Sequence, residues 1–377
     1  MRLGVTRRRA PRRLSLAAAT AAAAVAAAVG IAIGPAVSSA STSGDRDRMP
    51  SLDHVFVIML ENHSKSSVLG DPNAPFINQL AAQYAVAGNY YGVTHPSEPN
   101  YVAAISGSNW WVNNDDPANR YDHTNLVDEL ESHHKTWAAY MEAMPSAGYL
   151  GDYWPSSGTP LYASKHNPFV LFDDIRNDPA RLAHDKPYTD LAHDLNSPRP
   201  PDFVWISPDQ CNDMHGGVYS AVPGYPETPC PYGSTKDDAN DAALKQKADA
   251  FVKQAVGTIM SSRAWRGKSA IFIVTDENDY TGNPSTDGWE TADGCCDSPI
   301  VPANDPEVPG WQGGVYGGGL IPAVIVTTHG KRGGYTSTTA YNHYSLLRTI
   351  EDSWNLDRLG FTSDTAQVQS MSEFFTH

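Results

Sequence analysis

Apolar runs of strand length recur along the chain, and a polar stretch follows each. His54 to Leu60 (HVFVIML), Asp202 to Ser207 (DFVWIS), Ser269 to Thr275 (SAIFIVT) and Ile321 to Thr328 (IPAVIVTT) are the clearest. Continuous rather than alternating runs fit strands buried on both faces. Thr136 to Met141 adds a shorter strand. Between these runs the pattern turns helical. Asn73 to Ala87 reads as a helix with Pro75 near its first turn, and Glu98 to Ser106 as another, with Pro99 at its start and Gly107 at its end. Leu126 to His133, Asp238 to Ser261 and Tyr341 to Trp354 complete the helices. Strands alternating with helices predict an α/β fold, a mostly parallel central sheet sandwiched by helices. In such sheets ligands bind beyond the carboxyl ends of the strands. Long loops, Asn109 to Asp122, Gly148 to Lys165, Met214 to Lys236 and Asn278 to Gly319, are rich in Gly, Pro, Trp and Tyr. Loops of that length are more often functional than idle.

The first forty residues stand apart. Arg2, Arg7, Arg8, Arg9, Arg12 and Arg13 precede an Ala-rich apolar stretch, Leu14 to Val37, and then Ser38-Ser39-Ala40. Basic, apolar and small-residue segments in that order read as a signal peptide. Arg12-Arg13-Leu14-Ser15-Leu16 resembles a twin-arginine export signal. A membrane span is the weaker reading, because Ala is only weakly apolar. The expected organisation is a signal over 1–40 and a single catalytic domain over 41–377. The expected location is secreted or extracytoplasmic, with no membrane span once the signal is removed. Without the six signal arginines, 21 basic side chains face 42 acidic ones, a balance of −21. That field repels nucleic acid and anionic membranes, so no nucleic-acid partner is expected. An anionic substrate needs a local positive centre, which a metal supplies.

Four cysteines, Cys211, Cys230, Cys295 and Cys296, suggest two disulfides in an exported chain. Adjacent cysteines bond poorly to each other. The favoured pairing therefore joins Cys211 and Cys230 each to one of Cys295 and Cys296. The spacing lacks the C-x-x-C pairs of a zinc site.

Chemistry gathers at five strand ends. Glu61, Asn62 and His63 follow the first strand. His95 and Ser97 precede the helix that Pro99 opens. Asp209, Asn212, Asp213 and His215 follow Ser207. Asp276, Glu277 and Asn278 follow Thr275, and Asn342 and His343 precede the last helix. Any one of these is ordinary by itself: Ser97 could cap a helix, Asp276 could be a satisfied carboxylate, and His343 could be an N-cap contact. Five on one edge are not coincidence. The oxygen-rich set favours Ca²⁺, Mg²⁺ or Mn²⁺ over Zn²⁺. A metal on the Ser97 hydroxyl would make an alkoxide without an adjacent histidine base. Asn100 could donate to an equatorial phosphate oxygen, and His215, with His343 next, could protonate the leaving alcohol. Asp213, His215 and His343 could instead complete a second metal site.

Six runs together resemble the bacterial phosphoesterase family of secreted acid phosphatases and phospholipases C, within the alkaline-phosphatase-like superfamily. They are Ile58 to Ser64, His95 to Tyr101, Lys165 to Phe169, Asn212 to His215, Thr275 to Glu277 and Tyr341 to Leu347. The resemblance implies a three-layer α/β/α fold. It implies metal ligands at Glu61, Asn62, Ser97, Asp276 and Glu277, a phosphoryl-accepting nucleophile at Ser97, and phosphate-facing histidines at His166, His215 and His343. The family often has two aspartates where this chain has Asp276-Glu277, which leaves the role of Glu277 less certain.

The leading reading is a metal-dependent phosphomonoesterase of acid phosphatase type acting on small phosphate esters. A phospholipase C taking a phospholipid headgroup is the alternative, with Trp110-Trp111 and Tyr153-Trp154 as an apolar lip. A phosphoinositide phosphatase would share features of both. The remote alternative is a metal-dependent phosphate-binding protein without catalysis. A sulfatase is disfavoured, because Tyr101 stands where its nucleophile motif needs an arginine. The enzymatic readings all require Ser97 within reach of an ion shared with Glu61 and Asp276.

Overall fold

In the computed structural model the apolar runs pair side by side, and each turns alternate side chains to opposite faces. The structure describes residues 49–156, 159–217, 230–233, 238–279, 298, 300–301, 303 and 314–376. Val55, Val57 and Met59 of β1 (His54–Leu60) join one apolar cluster, and Phe56, Ile58 and Leu60 join a second. The same division holds for β5 (Phe203–Ser207) and β6 (Ser269–Thr275). A strand that faces two cores has no solvent side, which is why its sequence is apolar without alternation.

Helices cover both faces. α2 (Ser97–Ser106), α3 (Leu126–Ser132) and α5 (His343–Trp354) pack on the first face, through Val102, Ile105, Leu130 and Leu347 among others. α1 (Pro75–Gln83) and α4 (Ala239–Ser261) pack on the second through Ile77, Leu80, Val252 and Val256. The result is a three-layer α/β/α arrangement, and the described residues fall within one unit, Gly44–His377.

The sheet has nine strands. β3 (Trp137–Met141), β4 (Asp185–Pro187), β5, β1 and β6 are mutually parallel neighbours. β7 (Leu320–Ile321) and β8 (Ala323–Thr327) are the antiparallel members, so the Ile321–Thr328 run is a strand reversed within a mostly parallel sheet.

Besides the three-residue β4, two strands escape the sequence pattern. The helix expected over Asn73–Ala87 stops at Gln83, and β2 (Ala85–Tyr91) follows. Its sequence, AVAGNYY, has a single branched apolar residue, Val86, and is interrupted by Gly88 and Asn89. Gly88 has a structural reason: a Cβ there would meet the Ser337 carbonyl at 2.6 Å. That carbonyl belongs to β9 (Tyr335–Asn342), an edge strand with several exposed polar positions. β9 takes the first residues of the helix expected from Tyr341, and Asn342 caps that helix by accepting the Ser345 N–H. Gly107 ends α2 at φ 75°, where a Cβ would strike the Leu359 carbonyl at 2.1 Å.

The cysteine expectation is corrected in part. Cys211 is bonded to Cys230, across a Cα separation of 5.4 Å, so neither is available to Cys295 or Cys296. The chain turns back after β5 and brings them together: Gly217 N–H donates to the Cys230 carbonyl at 2.7 Å. Cys295, Cys296 and the expected signal over 1–40 lie outside the described residues. Among the described residues no helix is long and apolar enough to cross a membrane.

Candidate active site

Strand register assembles the acidic centre. Leu60 of β1 lies opposite Thr275 of β6, so the next residues, Glu61 and Asp276, emerge side by side. Backbone bonds tie the ends: Asp276 N–H donates to the Leu60 carbonyl at 3.0 Å, and Glu61 N–H to the Asp213 carbonyl at 2.7 Å. Asn62 adopts a left-handed φ of 43° and donates its N–H to Asp276 Oδ1 at 3.0 Å. Asn tolerates that conformation better than most residues.

Ser97 opens α2 on the same edge. Its hydroxyl donates to Glu61 Oε2 at 3.0 Å and lies beside the Asp276 carboxylate. Asn100 spends its amide on the turn before Ser97. Its Oδ1 accepts from Val93 and Thr94 N–H at 2.8 and 3.2 Å, and its Nδ2 donates to the Thr94 and Pro96 carbonyls at 2.8 and 3.2 Å. Glu277 turns toward His95, with Oε2 2.7 Å from Nδ1, and also accepts from Asn100 Nδ2 at 3.5 Å.

Histidines close the other side. His166 lies face to face with Tyr101, ring centres 5.4 Å apart and planes within 9°. Its Nε2 is 3.2 Å from Glu61 Oε1 and its Nδ1 3.3 Å from Asp213 Oδ2. Burial holds its pKa well below the ordinary histidine value, and the Lys165 charge adds to this. The His215 peptide N–H donates to Asp213 Oδ1 at 2.7 Å. Its Nδ1 is 2.6 Å from the Gly216 carbonyl, so that nitrogen carries the proton, and Nε2 faces Lys165 Nζ at 3.4 Å. Burial, then Lys165, lowers its pKa to about 4. His343 is fully buried. Its Nε2 donates to the Asp276 carbonyl at 2.5 Å, and Tyr90 OH meets its Nδ1 at 3.3 Å.

The carboxylates are out of balance. Glu61, Asp213 and Asp276 are all buried, and burial together with mutual repulsion raises each pKa well above the carboxylate range. Glu61 Oε1, Asp213 Oδ2 and Asp276 Oδ2 have no hydrogen-bond donor among the described residues. Buried anionic oxygens without donors are costly unless a cation joins them. Ligand atoms of Glu61, His166 and His215 also lie within 4.8 Å of one another, close enough to share one ion. The residues present therefore fit a bound divalent cation.

Sequence reasoning overlooks two members of this edge, Asp115 and Tyr90, and leaves a third, Lys165, without a role. Asp115 binds Lys165 at 2.8 Å and accepts Glu98 N–H at 2.9 Å. Tyr90 orients His343. Asp115 carries no local signal, because its partner is fifty residues away.

A model of the Phosphoesterase family matches residues 71–224 and 231–357. A probable acid phosphatase of Kluyveromyces lactis is 27% identical over 319 residues, 83% of this chain and 61% of that protein. An acid phosphatase of Aspergillus fumigatus is 33% identical over 316 residues, 82% of this chain and 56% of that protein. A phosphatidylinositol-3-phosphatase of Mycobacterium tuberculosis is 27% identical over 321 residues, 85% of this chain and 83% of that protein. The chain thus spans about three fifths of the fungal relatives' length.

Proposed function

The chain belongs to the Phosphoesterase family, and from that footing we propose that it is a secreted, metal-dependent acid phosphatase that works through a phosphoserine on Ser97. The observation that carries the reading is the Ser97 hydroxyl, 3.0 Å from Glu61 and beside Asp276, among carboxylate oxygens that lack donors. We assign ligation of the cation to Glu61, Asn62, Ser97 and Asp276, a hard-donor set suited to Mg²⁺, Mn²⁺ or Ca²⁺. When bound, the ion supplies positive charge for the phosphate and acidifies the serine hydroxyl. Glu277 is assigned instead to holding His95 and Asn100, and His343 to holding Asp276.

The chain's own groups then move the protons. Ser97 Oγ attacks phosphorus and passes its proton to Glu61 Oε2, the oxygen its hydroxyl already meets. The bond from phosphorus to the ester oxygen breaks. The leaving oxygen takes a proton from His215, which is charged only in strongly acidic medium because its pKa lies near 4. Water next attacks the phosphoserine and gives a proton to His215. The bond from phosphorus to Oγ breaks, Ser97 regains its proton from Glu61, and inorganic phosphate departs.

The test is hydrolysis of a chromogenic phosphomonoester and a phosphocholine diester, with and without chelator. Chelator-sensitive monoester turnover, lost in Ser97→Ala, is the expected result. A Ser97→Ala protein that still turns over would sink the nucleophile. Phosphate binding without turnover in the wild type would make the chain a binding protein. A second reading, a phosphoinositide phosphatase, draws support from the mycobacterial relative, which matches over 83% of its own length. Faster cleavage of a short-chain phosphatidylinositol phosphate than of the chromogenic ester would favour it.

A further inference from the structure

The mechanism above leaves the ammonium of this edge unused. Lys165 lies in the short turn Ser164–His166 that packs against the nucleophile helix. Its ammonium points inward, with the side chain 14% exposed, so it is neither sealed off nor free in solvent. An ammonium carries three protons. Here one goes to Asp115 Oδ2 at 2.8 Å and one toward His215 Nε2 at 3.4 Å, so among the described residues the third has no acceptor.

The holder is as informative as the ammonium. The second oxygen of Asp115 accepts the N–H of Glu98, the residue after Ser97. One carboxylate therefore fixes the ammonium relative to the first turn of the nucleophile helix. An ion pair built only for stability has no need to grip that turn, or to hold its cation against a histidine of the reacting edge. The demand for such a cation is plain. Glu61, Asp213, Asp276 and Glu277 crowd this edge with negative charge, and an incoming phosphate is itself an anion.

We propose that Lys165 is a phosphate-binding residue, whose ammonium donates its third proton to a non-bridging oxygen of the phosphoryl group in transfer, and that Asp115 is the positioning residue that aims it. The assignment rests on the phosphatase reading of Ser97. Lysine suits the task as a compact point charge that can share its donors among three acceptors. The contact strengthens as charge spreads over the equatorial oxygens, so it acts on turnover as well as on binding.

The experiment separates this assignment from the reading beneath it by measuring inorganic phosphate directly. In metal-loaded Ser97→Ala protein, where no turnover occurs, calorimetry reports phosphate affinity with and without Lys165→Met. The expected weakening is about tenfold or more, for a charge-assisted hydrogen bond. With Ser97 intact, Lys165→Met should lower kcat/KM for the phosphomonoester about a hundredfold. Lys165→Arg should restore part of both, and Asp115→Asn should lower kcat/KM by a smaller factor. Melting curves check that each variant is folded. Unchanged phosphate affinity in the folded Lys165→Met variant overturns the proposal. So does a full return of turnover in Lys165→Gln, which keeps a donor without the charge. Loss of the phosphatase reading shows elsewhere, as turnover that survives Ser97→Ala.

Discussion

Glu351 and Glu61 are both wholly buried glutamates, and their surroundings differ in kind. On α5, Glu351 Oε1 accepts from Leu359 N–H at 3.0 Å and Thr362 Oγ1 at 2.9 Å, while Oε2 accepts from Arg358 at 2.9 Å. Glu61 has the Ser97 hydroxyl on Oε2, an orphaned Oε1, and Asp276 and Asp213 as neighbours. Burial raises both pKa values, Glu351 to about 7 and Glu61 well above its ordinary value. The first environment is complete within the chain. The second is complete only with an added positive charge. Three donorless carboxylate oxygens, on Glu61, Asp213 and Asp276, gather at the edge where the nucleophile stands.

The sharpest way to break the comparison is to neutralise one member of each pair. Glu61→Gln and Asp276→Asn should each reduce phosphomonoester turnover by on the order of a thousandfold or more. In chelated protein the same changes should raise the melting temperature, because each replaces a carboxyl crowded by buried acids with a neutral amide. Glu351→Gln should do the reverse: turnover within about twofold of wild type, and stability lower by roughly 1–3 kcal/mol as Arg358 loses a charged partner. Equal loss of turnover in both sets would erase the distinction.

Adding the missing cation tests the same contrast. Saturating Mg²⁺, Mn²⁺ or Ca²⁺ should stabilise wild type by about 2.7 kcal/mol at a hundredfold excess over Kd. Thermal melts should show that shift in Glu351→Gln and not in Glu61→Gln.

The smallest expected effect concerns pH. Asp185, which accepts from Asn167 Nδ2 at 2.8 Å, is raised by burial from 3.8 to about 7, and Glu351 from 4.5 to about 7. A carboxyl whose folded pKa is raised holds its proton more tightly folded than unfolded. Its contribution is therefore full below about pH 4 and is lost as pH climbs through 7. The melting temperature of chelated protein should fall from pH 5 to pH 7.5. Asp185→Asn should flatten that slope by a degree or two, on the order of 1 kcal/mol. A slope untouched by Asp185→Asn would remove Asp185 from the account.

Much of this was legible in the residues themselves. Unbroken apolar runs such as HVFVIML signal strands with two buried faces, and the acids after them fall where strands end. Register did the rest, since parallel neighbours finish together. β2 was hidden because close approach of β9 requires glycine at Gly88, which interrupts the apolar run. β9 was hidden because it is an edge strand whose sequence, TSTT, reads as loop. The Cys211–Cys230 bond follows from a turn in space that spacing alone does not encode. The Asp115–Lys165 pair is likewise a contact between loops, and the inward side of a histidine ring depends on which carbonyl its other nitrogen meets.

The backbone ties between Leu60 and Asp276 and between Glu61 and Asp213 have a practical bearing on redesign. Side chains on a strand alternate with every residue, so deleting one position inside His54–Leu60 would swing Glu61 to the opposite layer. Lengthening a connecting segment such as Gly148 to Lys165 imposes no such reversal. Diversification of this scaffold should therefore succeed by insertion between strands and fail by a single-residue slip within one.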